Sequence, residues 1–131
     1  MSVRDIERAV YPAHMCSIQG DSLECLAEYC ECSIQQLFVL QGDGWYLLAA
    51  EHHRSVEICD LAALPGHEHA AMRGLLTAGQ RWAGKCITLD ARETTSYPII
   101  RRLVRMGRIT ILKDEEYEWG TEVMHDMVLQ L

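Results

Sequence analysis

Ser55-Val56-Glu57-Ile58-Cys59-Asp60-Leu61 reads as a strand ended by Leu64-Pro65-Gly66, and it opens the stretch, residues 55–107, that decides the fold. From Glu68 to Ala83 a helical period takes over, with Ala71, Leu75, Leu76, Ala78 and Trp82 on one stripe and Glu68, Arg73, Gln80 and Arg81 mostly off it. Gly84 is placed to end that helix. Cys86-Ile87-Thr88-Leu89 follows as a short apolar strand, and Ser96 to Met106 as a second helix ended by Gly107. Two short strands joined through a helix of this length form a crossover unit, so they are expected to be parallel neighbours in one sheet.

Outward from that unit, Leu37-Phe38-Val39-Leu40 and Trp45-Tyr46-Leu47-Leu48-Ala49-Ala50 flank Gln41-Gly42-Asp43-Gly44. Apolar runs rich in aromatic and branched residues around a Gly-Asp-Gly turn predict an antiparallel hairpin. Glu51-His52-His53-Arg54 then turns the chain into the strand at Ser55, making a three-stranded meander. Upstream, residues 4–18 read as a helix divided by Pro12, and Leu23 to Cys32 as a second helix capped by Asp21 or Ser22, with Leu23, Leu26, Ala27 and Cys30 as its stripe. Downstream, Arg108 to Leu112 reads as a strand, Lys113 to Glu118 as a polar turn and Thr121 to Leu131 as a last strand, apolar on both faces.

The expected architecture is one α+β domain over residues 1–131: two N-terminal helices (1–35), a strand meander (36–62), helix-strand-helix (63–107) and a C-terminal hairpin (108–131). The sheet is mixed, mostly antiparallel with one parallel crossover, and has helices on both faces. A chain of this length buries roughly two-thirds of its unfolded surface. Its 49% hydrophobic content suits such a core, and no run approaches the ~20 apolar residues of a membrane helix. Arg4, Asp5, Glu7 and Arg8 lead into no apolar segment, so no secretory signal is expected. A net charge of −7 disfavours a general polyanion binder, which makes nucleic acid an unexpected partner.

The six cysteines fit neither a disulfide framework nor structural zinc. Cys25, Cys30 and Cys32 lack paired C-x2-C knuckles, and Cys59 and Cys86 fall in strands expected to bury them as small hydrophobes. No metal site is expected. His52, His53, His67 and His69 lie in turns, where an imidazole is ordinarily just exposed; the functional alternatives for His67 and His69 are an acid-base pair or half of a metal site. Arg101, Arg102, Arg105 and Arg108, with Arg92 and Lys113 nearby, form a basic cluster that reads either as a solvated face or as a docking surface for an acidic protein. Trp45, Trp82 and Trp119 sit at apolar-patterned positions that suit core or interface.

Strand, Leu64-Pro65 turn, long helix, short strand, then a helix closing in Arg105-Met106-Gly107 and another strand: over residues 23–131 this order resembles the GNAT superfamily of N-acetyltransferases. In that family an Arg/Gln-x-x-Gly-x-Gly/Ala turn holds the pyrophosphate of acetyl-CoA on backbone N–H groups at a helix N-terminus. The turn here is Pro65-Gly66-His67-Glu68-His69-Ala70-Ala71, with neither the glycine pair nor the arginine, and with Glu68 where a phosphate would sit. The family's usual general-acid tyrosine, four residues before the closing glycine, falls on Leu103, and its asparagine on Ser96. Leucine donates no proton. Glu57 and Asp60 occupy the strand where some members place a water-mediated base. Ser96-Tyr97-Pro98-Ile99-Ile100-Arg101-Arg102-Leu103-Val104-Arg105-Met106-Gly107 is similar to the last helix of small acetyltransferase-like proteins of short-tailed bacteriophages, some of them internal virion proteins, whose glycine loop is also degraded.

The resemblance implies a fold kept after its catalysis was lost: a virion or assembly component with no cofactor, located in the host cytoplasm or the particle, whose partners are other virion or assembly proteins. Two alternatives stay open. A divergent N-acyltransferase would use acetyl-CoA at residues 65–71 with Glu57 or Asp60 as base, and a regulatory binding module would use the Arg101 to Arg108 face. Homo-oligomerisation is a further expectation, because a strand apolar on both faces tends to seek a partner when exposed.

Overall fold

A computed structural model describes all residues, Met1–Leu131. Six strands form one sheet: β1 (Leu37–Gly42), β2 (Trp45–Glu51), β3 (Ser55–Ala63), β4 (Cys86–Arg92), β5 (Thr110–Trp119) and β6 (Glu122–Gln130), in the order β1-β2-β3-β4-β6-β5. Four helices complete it: α1 (Val3–Val10), α2 (Leu23–Tyr29), α3 (Glu68–Arg81) and α4 (Ser96–Arg105). Only β3 and β4 pair in parallel, joined through α3. The mixed sheet with a single parallel crossover is as the sequence predicts, and every other neighbouring pair is antiparallel.

The apolar run in β2 is explained by burial on both faces. Trp45, Leu47 and Ala49 enter a large core with α3 and α4, while Tyr46 and Leu48 enter a smaller one with α1 and α2. A strand covered on both sides has no face on which polar residues would be favoured. The hairpin turn is the two residues Asp43-Gly44, with Gly44 at φ +77, a conformation glycine adopts without strain. At the N-terminus Ser2 and Asp5 cap α1 reciprocally, and Ser22 caps α2 by accepting the Cys25 N–H. Pro12 does divide the first helical segment, leaving a short 3-10 turn at Ala13–Met15. The buried Glu7 carboxylate accepts the Ser17 and Ile18 N–H groups and so fixes the path from α1 to α2.

Several expectations fail for identifiable reasons. The predicted polar turn at Lys113 to Glu118 is the body of β5, and the turn is at Gly120-Thr121, with Trp119 opposite Glu122. β5 is an edge strand lying against β6, so most of its side chains face solvent and its sequence carries charges rather than apolar alternation. β6 is an inner strand, paired with β4 on one edge and β5 on the other, so it offers no free backbone edge to a second copy of the chain; Met127 and Leu129 of its apolar residues enter the large core. Leu23 is 53% exposed, since α2 buries only the stripe of Leu26, Ala27 and, at its cap, Cys30. Cys86 is exposed and Cys59 half-buried, and all six cysteines are free thiols. No helix is long and apolar enough to cross a membrane.

Candidate functional site

The chemistry-bearing residues gather where β3 and β4 part. The two strands pair only from Ser55–Ile58 to Cys86–Leu89. Against β2, β3 carries a bulge in which Cys59 is the extra residue, since Leu48 faces Asp60 and Ala49 faces Ile58. Beyond it the strands are unpaired with each other, and two clefts border the fork.

The first cleft, about 400 Å³, lies between the α3 turn (Pro65, Glu68) and the start of α4 (Thr95, Pro98, Ile99, Arg102), and Ala9 and Val10 of α1 also line it. Gly66, at φ +89, points its N–H at Glu68 Oε2, 2.9 Å away. The chain's own carboxylate therefore takes the place at the α3 N-terminus where the helix dipole favours an anion. His67 is packed over Gly44, where a Cβ would come within 2.7 Å of the imidazole ring, and His69 Nε2 lies 3.3 Å from Arg102 Nη2. The two histidines thus have different neighbours and form no pair, while Ala70 and Ala71 are the first-turn residues that α3 packs inward.

The second cleft, about 410 Å³, is where Glu57 and Asp60 come together with Tyr11, Tyr29, Arg92 and Trp119. Glu57 is on its exposed rim, but Asp60 is only 7% exposed. Its two oxygens accept the hydroxyls of Tyr11 and Tyr46, each at 2.6 Å. Burial raises the Asp60 pKa although both tyrosines pull it down, and burial beside Asp60 raises the tyrosines in turn. Such a carboxylate is a structural acceptor spanning α1 to β2 and β3, not a solvent-facing base. Arg92 closes the same wall. Its guanidinium lies 4.8 Å from the centre of the Tyr11 ring and grips Glu122 at 2.6 and 3.1 Å.

Because the folded pKa of Asp60 is raised, its contribution to stability is fully present below the ordinary carboxyl pKa and is lost as pH rises through the folded value. Asp60→Asn cannot ionise. Its stability relative to the wild type, read by urea unfolding, is expected to improve as pH rises from the ordinary carboxyl pKa through the folded value and to level off above it, and a difference independent of pH would contradict the assignment.

The basic cluster is dispersed. Arg92 is buried in its pair with Glu122, and Lys113 is bound to Asp126 at 2.8 Å. α4 ends at Arg105, so Arg108 lies beyond the left-handed Gly107 (φ +71) and does not share a helix face with Arg101 and Arg105. Arg102 turns toward the first cleft. Arg105 and Arg108 are exposed and make no ion pair. Trp119 is 64% exposed, whereas Trp45 and Trp82 are core.

Sequence reasoning missed Tyr11, Tyr46 and Glu122. Each meets its partner only through tertiary contact, as with Tyr11 and Asp60, 49 residues apart. Leu103 at 0% exposure and Ser96 at 2% are both buried; Ser96 Oγ accepts the Arg92 N–H and so caps the end of β4. Compared with known proteins, the chain matches no protein-family model and no curated protein.

Proposed function

We propose that the chain is a GNAT-like domain that no longer transfers acetyl groups and serves as an assembly or virion component of a short-tailed bacteriophage, acting through protein contacts. The observation that carries the loss of catalysis is the Gly66 N–H bonded to Glu68 Oε2 at 2.9 Å. A pyrophosphate at this turn would have to displace that carboxylate and then lie beside its charge. Two further features support the reading: Leu103 in the apolar core at the position of the family's acid, and Asp60 held by two tyrosine hydroxyls. The order of strands and helices over residues 23–131 also supports the reading. Arg105 and Arg108, exposed and without carboxylate partners on an acidic chain, are the contact residues of this proposal.

Mass spectrometry of purified particles of the phage that encodes the chain is expected to find it at a fixed copy number. An Arg105→Glu/Arg108→Glu variant, folded by circular dichroism, is expected to be depleted from them. Absence of the wild-type chain from particles and from assembly intermediates alike would contradict the proposal.

A second reading, a divergent acetyl-CoA-dependent N-acyltransferase, rests on the cleft of about 400 Å³ beside the α3 N-terminus, with Arg102 on its wall to meet a phosphate. It requires Glu68 to swing away. Under this reading Glu68→Gln strengthens acetyl-CoA binding and Arg102→Ala weakens it.

A further inference from the structure

We propose that Glu93, Glu116 and His125 form a binding site for a divalent transition-metal ion of the zinc class, which ties the edge strand β5 to β6 and to the end of β4. The three residues are far apart in sequence and are brought together by strand pairing. Glu116 is directly opposite His125 in the β5–β6 ladder, and Glu93, just past β4, is held by its N–H to the Val123 carbonyl at 3.1 Å. One ligand atom from each lies within 4.8 Å of the others.

The cluster alone would be unremarkable for exposed acids; the imidazole distinguishes it. His125 is 5% exposed, and its Nε2 is a buried nitrogen with no hydrogen-bond partner. An orphaned buried polar atom is costly, which calls for a reason. The rest of the ring is fixed. Nδ1 is 2.8 Å from Asp114 Oδ1, the Tyr97 ring stacks on its face at 3.6 Å and 7°, and the Tyr97 hydroxyl donates to Asp114 Oδ2 at 2.6 Å. A carboxylate accepting Nδ1–H holds the tautomer whose Nε2 lone pair is free, which is the outer-shell arrangement of metal-ligating histidines.

Distance supports the same conclusion. Nε2 is 3.6 Å from Glu93 Oε1, too long for a hydrogen bond. Two ligands about 2.1 Å from a tetrahedral ion are separated by about 3.4 Å, so the observed gap is close to that of two atoms sharing one ion. One nitrogen and two carboxylates suit zinc, cobalt or manganese, whereas calcium and magnesium favour all-oxygen shells. Three protein ligands leave a position for water. β5 otherwise has a single strand neighbour, so the ion would fasten an edge.

The test is calorimetric titration of the reduced full chain with zinc chloride in a non-chelating buffer, with cobalt(II) absorption as a second readout. The expected result is one equivalent bound, with tetrahedral cobalt bands and no thiolate charge-transfer band of the kind any of the six cysteines would add. At saturating zinc the melting temperature is expected to rise by about 5–10 °C. His125→Ala empties a buried site and so confounds folding with binding, which leaves the test to the exposed carboxylates. Glu93→Gln/Glu116→Gln is expected to weaken binding at least ~10-fold, and Asp114→Asn by about 10-fold through loss of the ring's orientation. Absence of zinc binding at millimolar concentration, affinity unchanged in the double variant, or a thiolate band would each overturn the site.

Discussion

Trp82→Ala is expected to lower the unfolding free energy by about 3–5 kcal/mol, the range for emptying a buried tryptophan site. Trp82 closes α3, is 1% exposed and meets Phe38 edge-on at 5.1 Å. Its indole N–H donates to Glu51 Oε2 at 2.8 Å, and the same carboxylate takes two hydrogen bonds from Arg81 at 2.7 and 3.0 Å. The substitution therefore removes packing from the larger core and a donor from a carboxylate whose pKa those bonds hold below the usual range. In a thermal melt the loss corresponds to about 10–20 °C for a domain of this size. Trp82→Phe refills most of the volume without the donor and is expected to cost about 1–3 kcal/mol. A loss under about 1 kcal/mol for Trp82→Ala would mean that α3 is not anchored there.

Leu103→Ala is the second large effect, at about 2–5 kcal/mol by urea unfolding. Leu103 is 0% exposed, inside the core that α4 shares with α3 and the sheet. The prediction has a functional side. A position that solvent and substrate cannot reach gains no proton-donor role by changing its side chain, so Leu103→Tyr is expected to overpack the core by about 1–3 kcal/mol and to create no transferase activity. Acetyl transfer appearing in that variant would show that the position opens onto a working site.

The parts of the fold legible in the sequence are those specified by local pattern. The Leu37 to Ala50 hairpin carries its own turn, and the β3-α3-β4 crossover announces itself by a change of period from strand to helix and by Gly84 at φ +81. Only the start of β5, Thr110 to Leu112, is legible as strand, because the rest of this edge strand is patterned for solvent: Asp114, Glu115, Glu116 and Glu118 read as a turn until β6 is placed beside them. At the site, the turn at Pro65 to Ala71 and the pair Glu57 and Asp60 could be singled out by residue type. What fixes their chemistry could not. Tyr11 and Tyr46 reach Asp60 from two other elements, and the Glu68 carboxylate turns back on Gly66 through a side-chain torsion that residue order does not encode. The Glu93, Glu116 and His125 cluster is invisible to spacing rules for the same reason, since its members meet only when β4, β5 and β6 are in register.

Calorimetric titration of the purified chain with acetyl-CoA and with CoA, paired with a thermal shift at saturating ligand, tests the central claim most directly. With Glu68 holding the Gly66 N–H, no binding heat and an unchanged melting temperature are expected at ligand concentrations up to the millimolar range. Binding at micromolar concentration, with the stabilisation of about 2.7 kcal/mol that a ligand at a hundred times its dissociation constant confers, would contradict the account and return the first cleft to the enzymes.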